Sequence, residues 1–250
     1  MAVIAQGVNL CNGASNSIVQ DSHFRNTGDD SVATWSPKGQ GGTNTNNTVR
    51  GVTAQLPWRA NCFAVYGGSD HTVEDCRCFD TVSYPGVMIN AGFNANDFHG
   101  TTTVRNTRLV RAGGPMYQPH TQPFGALVLW GQQFDVAGVL ISGVTIDDAT
   151  FSGVQIRGQH TISGAVLENT TITGSATYGL EVRSDAKGSA TLRGVTIAGS
   201  GEKATRNGAV ASFKLEQGVL WGLAPETARR VKPNGLARTP PVRHTAPTVP

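Results

Sequence analysis

Gly125-Ala-Leu-Val-Leu129, Gly153-Val-Gln-Ile156 and Gly179-Leu-Glu-Val182 are three versions of one phrase: a glycine followed by a short apolar strand. Their glycines lie 28 and 26 residues apart. Upstream, Gly28-Asp-Asp-Ser-Val-Ala-Thr-Trp35, Cys62-Phe-Ala-Val-Tyr66 and Gly86-Val-Met-Ile89 extend the series. Each phrase closes a unit that opens with another apolar strand and an Asn/Thr/Gly turn, as in Asn46-Asn-Thr-Val-Arg-Gly-Val52, His71-Thr-Val-Glu-Asp-Cys76 and Thr102-Thr-Val-Arg-Asn-Thr-Arg-Leu109. Ala137-Gly-Val-Leu-Ile-Ser-Gly-Val144 and Ile162-Ser-Gly-Ala-Val-Leu-Glu-Asn169 repeat it, and Ser189-Ala-Thr-Leu-Arg-Gly-Val-Thr-Ile197 is a last, shorter copy. No helical period separates the copies, and coils of roughly 24 to 30 residues with three strands match a solenoid. The sequence therefore predicts an all-β fold, a right-handed parallel β-helix of about seven coils. Val32, Val87, Leu127, Val154 and Leu180 then stack at one inward position.

Composition agrees with that frame. The 250 residues include 31 glycines but only 15% charged side chains, and 38% are hydrophobic. Corners of a solenoid need residues that tolerate positive φ, which Gly, Asn and Asp supply. Five of the basic residues (Arg229, Arg230, Lys232, Arg238, Arg243) fall after Pro225, so the formal charge of +3 belongs to the tail and the body is near neutral. That distribution excludes a nucleic-acid partner, which requires a basic stripe on the folded domain. No apolar run reaches the ~20 residues of a membrane span, so a soluble chain without a membrane partner is expected. Residues 1–214 are assigned to the β-helix and 215–250 to a Pro/Arg-rich tail or linker. Met1 to Leu10 shows neither a charged n-region nor a long apolar stretch, so no signal peptide is visible. The chain opens inside a coil, which predicts that residues 1–10 are the remainder of a longer N-terminal part. Cys11, Cys62, Cys76 and Cys78 permit a disulfide, lack zinc-site spacing, and read as small buried hydrophobes.

On a solenoid, chemistry belongs to what projects from neighbouring rungs. Asp29 and Asp30 are paired at the Gly28 corner, where both side chains can point outward. Setting Val8 under Val32 places Gln6-Gly7 beneath Asp30-Ser31, so position 6 neighbours Asp30 with rungs ~4.8 Å apart. Glycosidases need two carboxyl groups, ~5 Å apart for a retaining mechanism and about 6.5 to 9.5 Å apart for an inverting one that leaves room for a water, and Asp29, Asp30 and position 6 fit that requirement. A calcium ion in a structural role is the other use of such a pair, and no cofactor is required. Trp35, Trp58, Arg59, Tyr66, Tyr84 and Tyr117 have the aromatic faces and hydrogen-bond donors of a sugar site. The longer segments 37–44, 90–100 and 113–124 interrupt the repeat and would wall a cleft. His99 and His120 lie in them, whereas His23, His71 and His160 read as structural.

Asn26-Thr27-Gly28-Asp29-Asp30, Trp35-Ser36, Tyr66-Gly67-Gly68-Ser69-Asp70 and Val73-Glu74-Asp75 together resemble the β-helical catalytic domain of glycoside hydrolase family 87, over residues 5 to 135 approximately. That family comprises α-1,3-glucanases (mutanases) and mycodextranases, inverting enzymes secreted by bacteria. The resemblance implies hydrolysis of an α-1,3-linked glucan, an extracellular setting and a monomer. It implies that Asp29 and Asp30 are catalytic, with a third aspartate one coil earlier. The matching step here is Gln6-Gly7, a departure, since an amide holds water but neither takes nor gives a proton. A non-catalytic carbohydrate-binding β-helix is therefore the rival reading. Polygalacturonase-type pectinases also carry a Gly-Asp-Asp rung, but their Gly-His-Gly and Arg-Ile-Lys rungs are replaced here by Phe98-His99-Gly100 and Gln155-Ile156-Arg157.

Overall fold

A computed structural model describes residues 5–115 and 123–218. Short strands are stacked in three long parallel sheets of eight, seven and nine members, giving about eight turns of a parallel β-helix. The first sheet runs through Val8–Cys11, Val32–Trp35, Phe63–Tyr66, Val87–Asn90, Leu127–Trp130, Val154–Arg157, Leu180–Val182 and Thr205–Asn207. Its register sets Val8 against Val32, then Phe63, Val87, Leu127, Val154 and Leu180 in one inward column. From Val32 onward the column is at most 1% exposed. Burial of one such side chain contributes about 1.5–3 kcal/mol, so the column is a main source of stability.

The count exceeds the expected seven because Thr205–Asn207 and Phe213–Gln217 also pair, with Leu180–Val182 and Lys187–Arg193. The sequence Thr-Arg-Asn has no apolar alternation to mark it as a strand. Pairing thus continues beyond residue 214, where the repeat was expected to end. Tyr117, His120 and the tail from residue 219 lie outside the described residues.

Corners obey the expected chemistry in a column. Asp21, Gly51, Asp75, Asn106, Gly143, Asn169 and Gly194 each follow a strand of the third sheet and take φ between 47° and 63°. This is the left-handed region that short polar side chains and glycine enter at least cost. The cysteines depart from expectation: Cys62 and Cys78 form a disulfide through the core, while Cys76 is a free buried thiol. Sequence distance alone cannot show that these two Cβ atoms meet across the coil interior. Among the described residues no helix is long and apolar enough to cross a membrane.

Outward positions of the first sheet alternate with the core column. One outward row reads Ala33, Ala64, Met88, Val128, and the next reads Trp35, Tyr66 on adjacent rungs, then Asn90, Trp130, Arg157. The second row begins beside the Asp29–Asp30 corner and carries the aromatic side chains that flank it.

Candidate active site

Gly7 decides where Gln6 sits. Its N–H donates to the Asp30 carbonyl at 3.0 Å, continuing the Val8–Val32 register back to the corner. A Cβ on Gly7 would collide with the Ser31 carbonyl and the Phe24 ring, so only glycine permits this approach. Gln6 is therefore held, exposed, one rung below Asp30.

The two aspartates differ in environment. Asp29 is half-buried, and its Oδ1 accepts the Asp30 backbone N–H at 2.9 Å, which fixes the corner. Asp30 is 2% exposed. Its Oδ1 accepts from the Asn61 backbone N–H at 2.9 Å and from Asn61 Nδ2 at 2.7 Å, and its Oδ2 accepts from the Tyr66 hydroxyl at 3.1 Å. Asn61 Nδ2 also reaches the Tyr66 oxygen at 3.1 Å, closing a three-residue network. Burial pushes the Asp30 carboxyl up to about 6, with the neighbouring Asp29 charge adding to the rise and the Asn61 and Tyr66 bonds opposing it. Burial and the Asp30 charge likewise hold the Tyr66 phenol well above its usual value, so it remains a donor. A carboxyl raised toward neutrality by burial and a like charge, beside a cleft, is a candidate for proton-transfer chemistry.

A cavity of about 180 Å³ unites Gln6, Asp29, Asp30, Trp35, Tyr66 and Phe93. Among the described residues its walls hold two carboxyl groups and no cation. Trp58, Arg59 and Tyr84, expected from sequence to join the sugar site, are not in this wall. The Trp58 backbone N–H donates to the Thr27 carbonyl at 3.0 Å, which ties its main chain to the segment just before the Asp corner. Arg59 adjoins it, half-buried. Tyr84 is turned onto Phe124, ring centroids 5.4 Å apart. Sequence reading missed Asn61 and Phe93. Asn61 was legible in principle, since the register that puts Gln6 below Asp30 also puts Asn61 above it. Phe93 lies in the 90–100 segment expected to wall the cleft, but no periodicity marks which residue of such a loop returns to the site. His71 is buried as anticipated, and desolvation lowers it to about 4, so it serves as a neutral core group near Thr34 and Asn47. Among the described residues no three His, Cys, Asp or Glu side chains group to hold a metal.

Comparison with solved structures finds the same architecture. Catalytic domains of a GH87 α-1,3-glucanase in complex with tetrasaccharides and with nigerose align with TM-scores of 0.79 and 0.78, at 28% identity, over 85% and 84% of this chain and 42% of theirs. The catalytic unit of the thermostable GH87 α-1,3-glucanase from Streptomyces thermodiastaticus strain HF3-3 aligns with a TM-score of 0.73 and 27% identity, over 86% of this chain and 41% of that one. The chain thus spans about two fifths of the length of these relatives. Three aspartates are replaced by alanine in the GH87 complexes, two of them adjacent and the third upstream at the separation that Gln6 has here from Asp29 and Asp30. No curated protein matches the chain. The family model described as α-1,3-glucanase catalytic domain D2 matches residues 1–217, and the chain belongs to that family.

Proposed function

We propose that the chain forms the catalytic β-helix of a glycoside hydrolase that cleaves α-1,3-glucosidic linkages of a polysaccharide with inversion, as a monomer working outside the cell. The observation that carries this reading is the Asp29–Asp30 corner, one carboxyl half-exposed and the other buried and poised near neutrality, at the wall of one cavity. The described lining residues carry two carboxyl groups and no cation, which favours a neutral glucan over a uronic-acid polymer. One member of the Asp29–Asp30 pair gives a proton to the glycosidic oxygen as the C–O bond breaks, the role that suits a raised carboxyl such as Asp30. The other carboxylate takes a proton from the water that attacks the anomeric carbon from the opposite face, and Gln6, one rung below Asp30, is placed to hold that water by hydrogen bonds. Such two-carboxylate hydrolysis needs no metal or cofactor. The Cys62–Cys78 disulfide accords with export, since such bonds persist in oxidising compartments.

Replacing Asp29 or Asp30 with Asn is expected to reduce sugar release from α-1,3-glucan by at least ~100-fold, the weight of a positioned acid or base. Unchanged release from either variant overturns the assignment. Gln6 favours one second reading, a glucan-binding β-helix without turnover. The wild type and Gln6→Asp, assayed together, separate the two: turnover by the wild type supports the enzyme, and turnover that appears only with Gln6→Asp supports the binding module.

A further inference from the structure

Phe93 has no role in the proton chemistry, yet it is the most unusual residue of the cavity wall. Among the described residues, the large hydrophobic side chains left exposed are Ile18, Val82, Phe93 and Val210, and Phe93, at 55%, is the one aromatic ring. It alone of these lines the carboxylate cavity. Its backbone takes φ 54° and that of Asn94 φ 52°, two successive left-handed residues. A bulky side chain in that region is a genuine outlier.

The segment is bolted in place. Trp35 Nε1 donates to the Phe93 carbonyl at 3.2 Å, and the Asn94 N–H donates to Gln133 Oε1 at 2.9 Å. The Lys38 N–H donates to the Asn94 carbonyl at 2.8 Å and the Asn96 N–H to the Ser36 carbonyl at 2.6 Å, while Ala95 bridges Pro37. Strained backbone persists only where its surroundings over-determine it, and it concentrates at ligand clamps. The Phe93 ring meets Tyr66 at 82° with centroids 5.2 Å apart, an edge contact that leaves ring surface free over the cavity. An aromatic face carries negative quadrupole and attracts C–H groups, which a pyranose ring presents on its apolar face.

We propose that Phe93 is a specificity-determining residue of the cavity: its ring is the platform on which a neutral glucosyl unit stacks beside the Asp pair, held ready by the strained loop. Through the Trp35 N–H the same loop orients a second aromatic side chain of the cavity, so one segment presets both rings. This inference rests on the glucan reading of the cavity.

The test compares wild type, Phe93→Ala, Phe93→Leu and Phe93→Trp by kcat and KM on α-1,3-linked glucotetraose, with calorimetric Kd in the Asp29→Asn background, and by thermal midpoint. Phe93→Ala and Phe93→Leu are expected to raise KM and Kd on the order of tenfold, the scale of one lost aromatic face, with kcat changed less than about threefold. Phe93→Trp is expected to restore binding. Leu keeps apolar bulk against Tyr66, so wild-type binding by Phe93→Leu overturns stacking, as does binding by Phe93→Ala equal to wild type. Loss of kcat at constant KM overturns it in favour of support for Tyr66. If the parent chain itself binds no tetraose, the glucan reading fails and this inference with it. If parent and variants bind alike, only the platform fails.

Discussion

Asp30 is asked to be ionisable and buried at once, and its partners show how the conflict is managed. Asn61 and Tyr66 supply three hydrogen bonds to the carboxylate, but desolvation outweighs them and the group sits at about 6 rather than 3.8. A folded value above the unfolded one means the folded state favours the protonated form. The stability from this group is therefore complete below pH 4, declines as pH rises through the window to about 6, and is absent above it. The two-unit shift corresponds to about 3 kcal/mol. Asp30→Asn removes the charge, so urea unfolding should find the stability of this variant relative to wild type higher above pH 6 than below pH 4 by about that amount. Parallel stability curves for the two proteins would sink this account of Asp30. The relative gain in stability accompanies loss of a proposed catalytic carboxyl, the usual trade at a functional site. At this scale the aspartate pair and its Gln6 neighbour were legible, because a repeat fixes which residues share a register. Phe93 was not, because a loop residue's return to the site depends on bonds to Ser36, Lys38 and Gln133 that no spacing announces.

Strands and corners were legible for the reason that they repeat. Glycine, asparagine and aspartate recur at the turn after seven successive third-sheet strands because the backbone there is left-handed. Between those corners the outward face of the same sheet carries its own ladder. Glu74, 4% exposed, lies between Arg50 and Arg105 of the neighbouring rungs, and both guanidinium groups pair with it. The Arg50 hydrogen bond first, then Arg105, holds the Glu74 carboxyl below its usual range. Val73-Glu74-Asp75, first singled out for its resemblance to a family motif, is thus also a rung-to-rung tie. Asn169 offers a clean test of the corner argument, since it is exposed with φ 47° and its side chain fills no core space. A β-branched residue there bears the full left-handed penalty of ~1–2 kcal/mol. Asn169→Val should therefore lower the thermal midpoint by about 2–8 °C for a chain of this size, whereas Asn169→Gly should lie close to wild type. Equal midpoints for Val and Gly would show that the corner does not dictate its residue.

Across the whole β-helix each coil is supported by its neighbours, so damage to one rung is felt at the next. The Cys62–Cys78 disulfide falls on the rung that matters most for the site. Cys62 lies between Asn61 and the Phe63–Tyr66 strand, and Asn61 and Tyr66 are the two residues bonded to Asp30. Cys78 lies in the Arg77–Phe79 strand of the second sheet, and both sulfurs are fully buried. The bond closes a ring spanning a separation of 16 residues. Removing such a constraint costs about 3 kcal/mol by loop entropy. Cys76, the neighbouring thiol, is pushed up to about 11 by burial and is a poor nucleophile, so it offers little route for disulfide exchange in the folded state. Thiol reductant without denaturant should consequently act slowly, because opening of the core must precede attack. The Cys62→Ala/Cys78→Ala variant should unfold on the order of 10 °C below wild type in a non-reducing thermal melt. Its melt should be insensitive to added reductant, while that of wild type shifts down toward it on prolonged incubation. A variant as stable as wild type would show that neighbouring rungs alone hold this coil, and that Asn61 and Tyr66 need no covalent tie to meet Asp30.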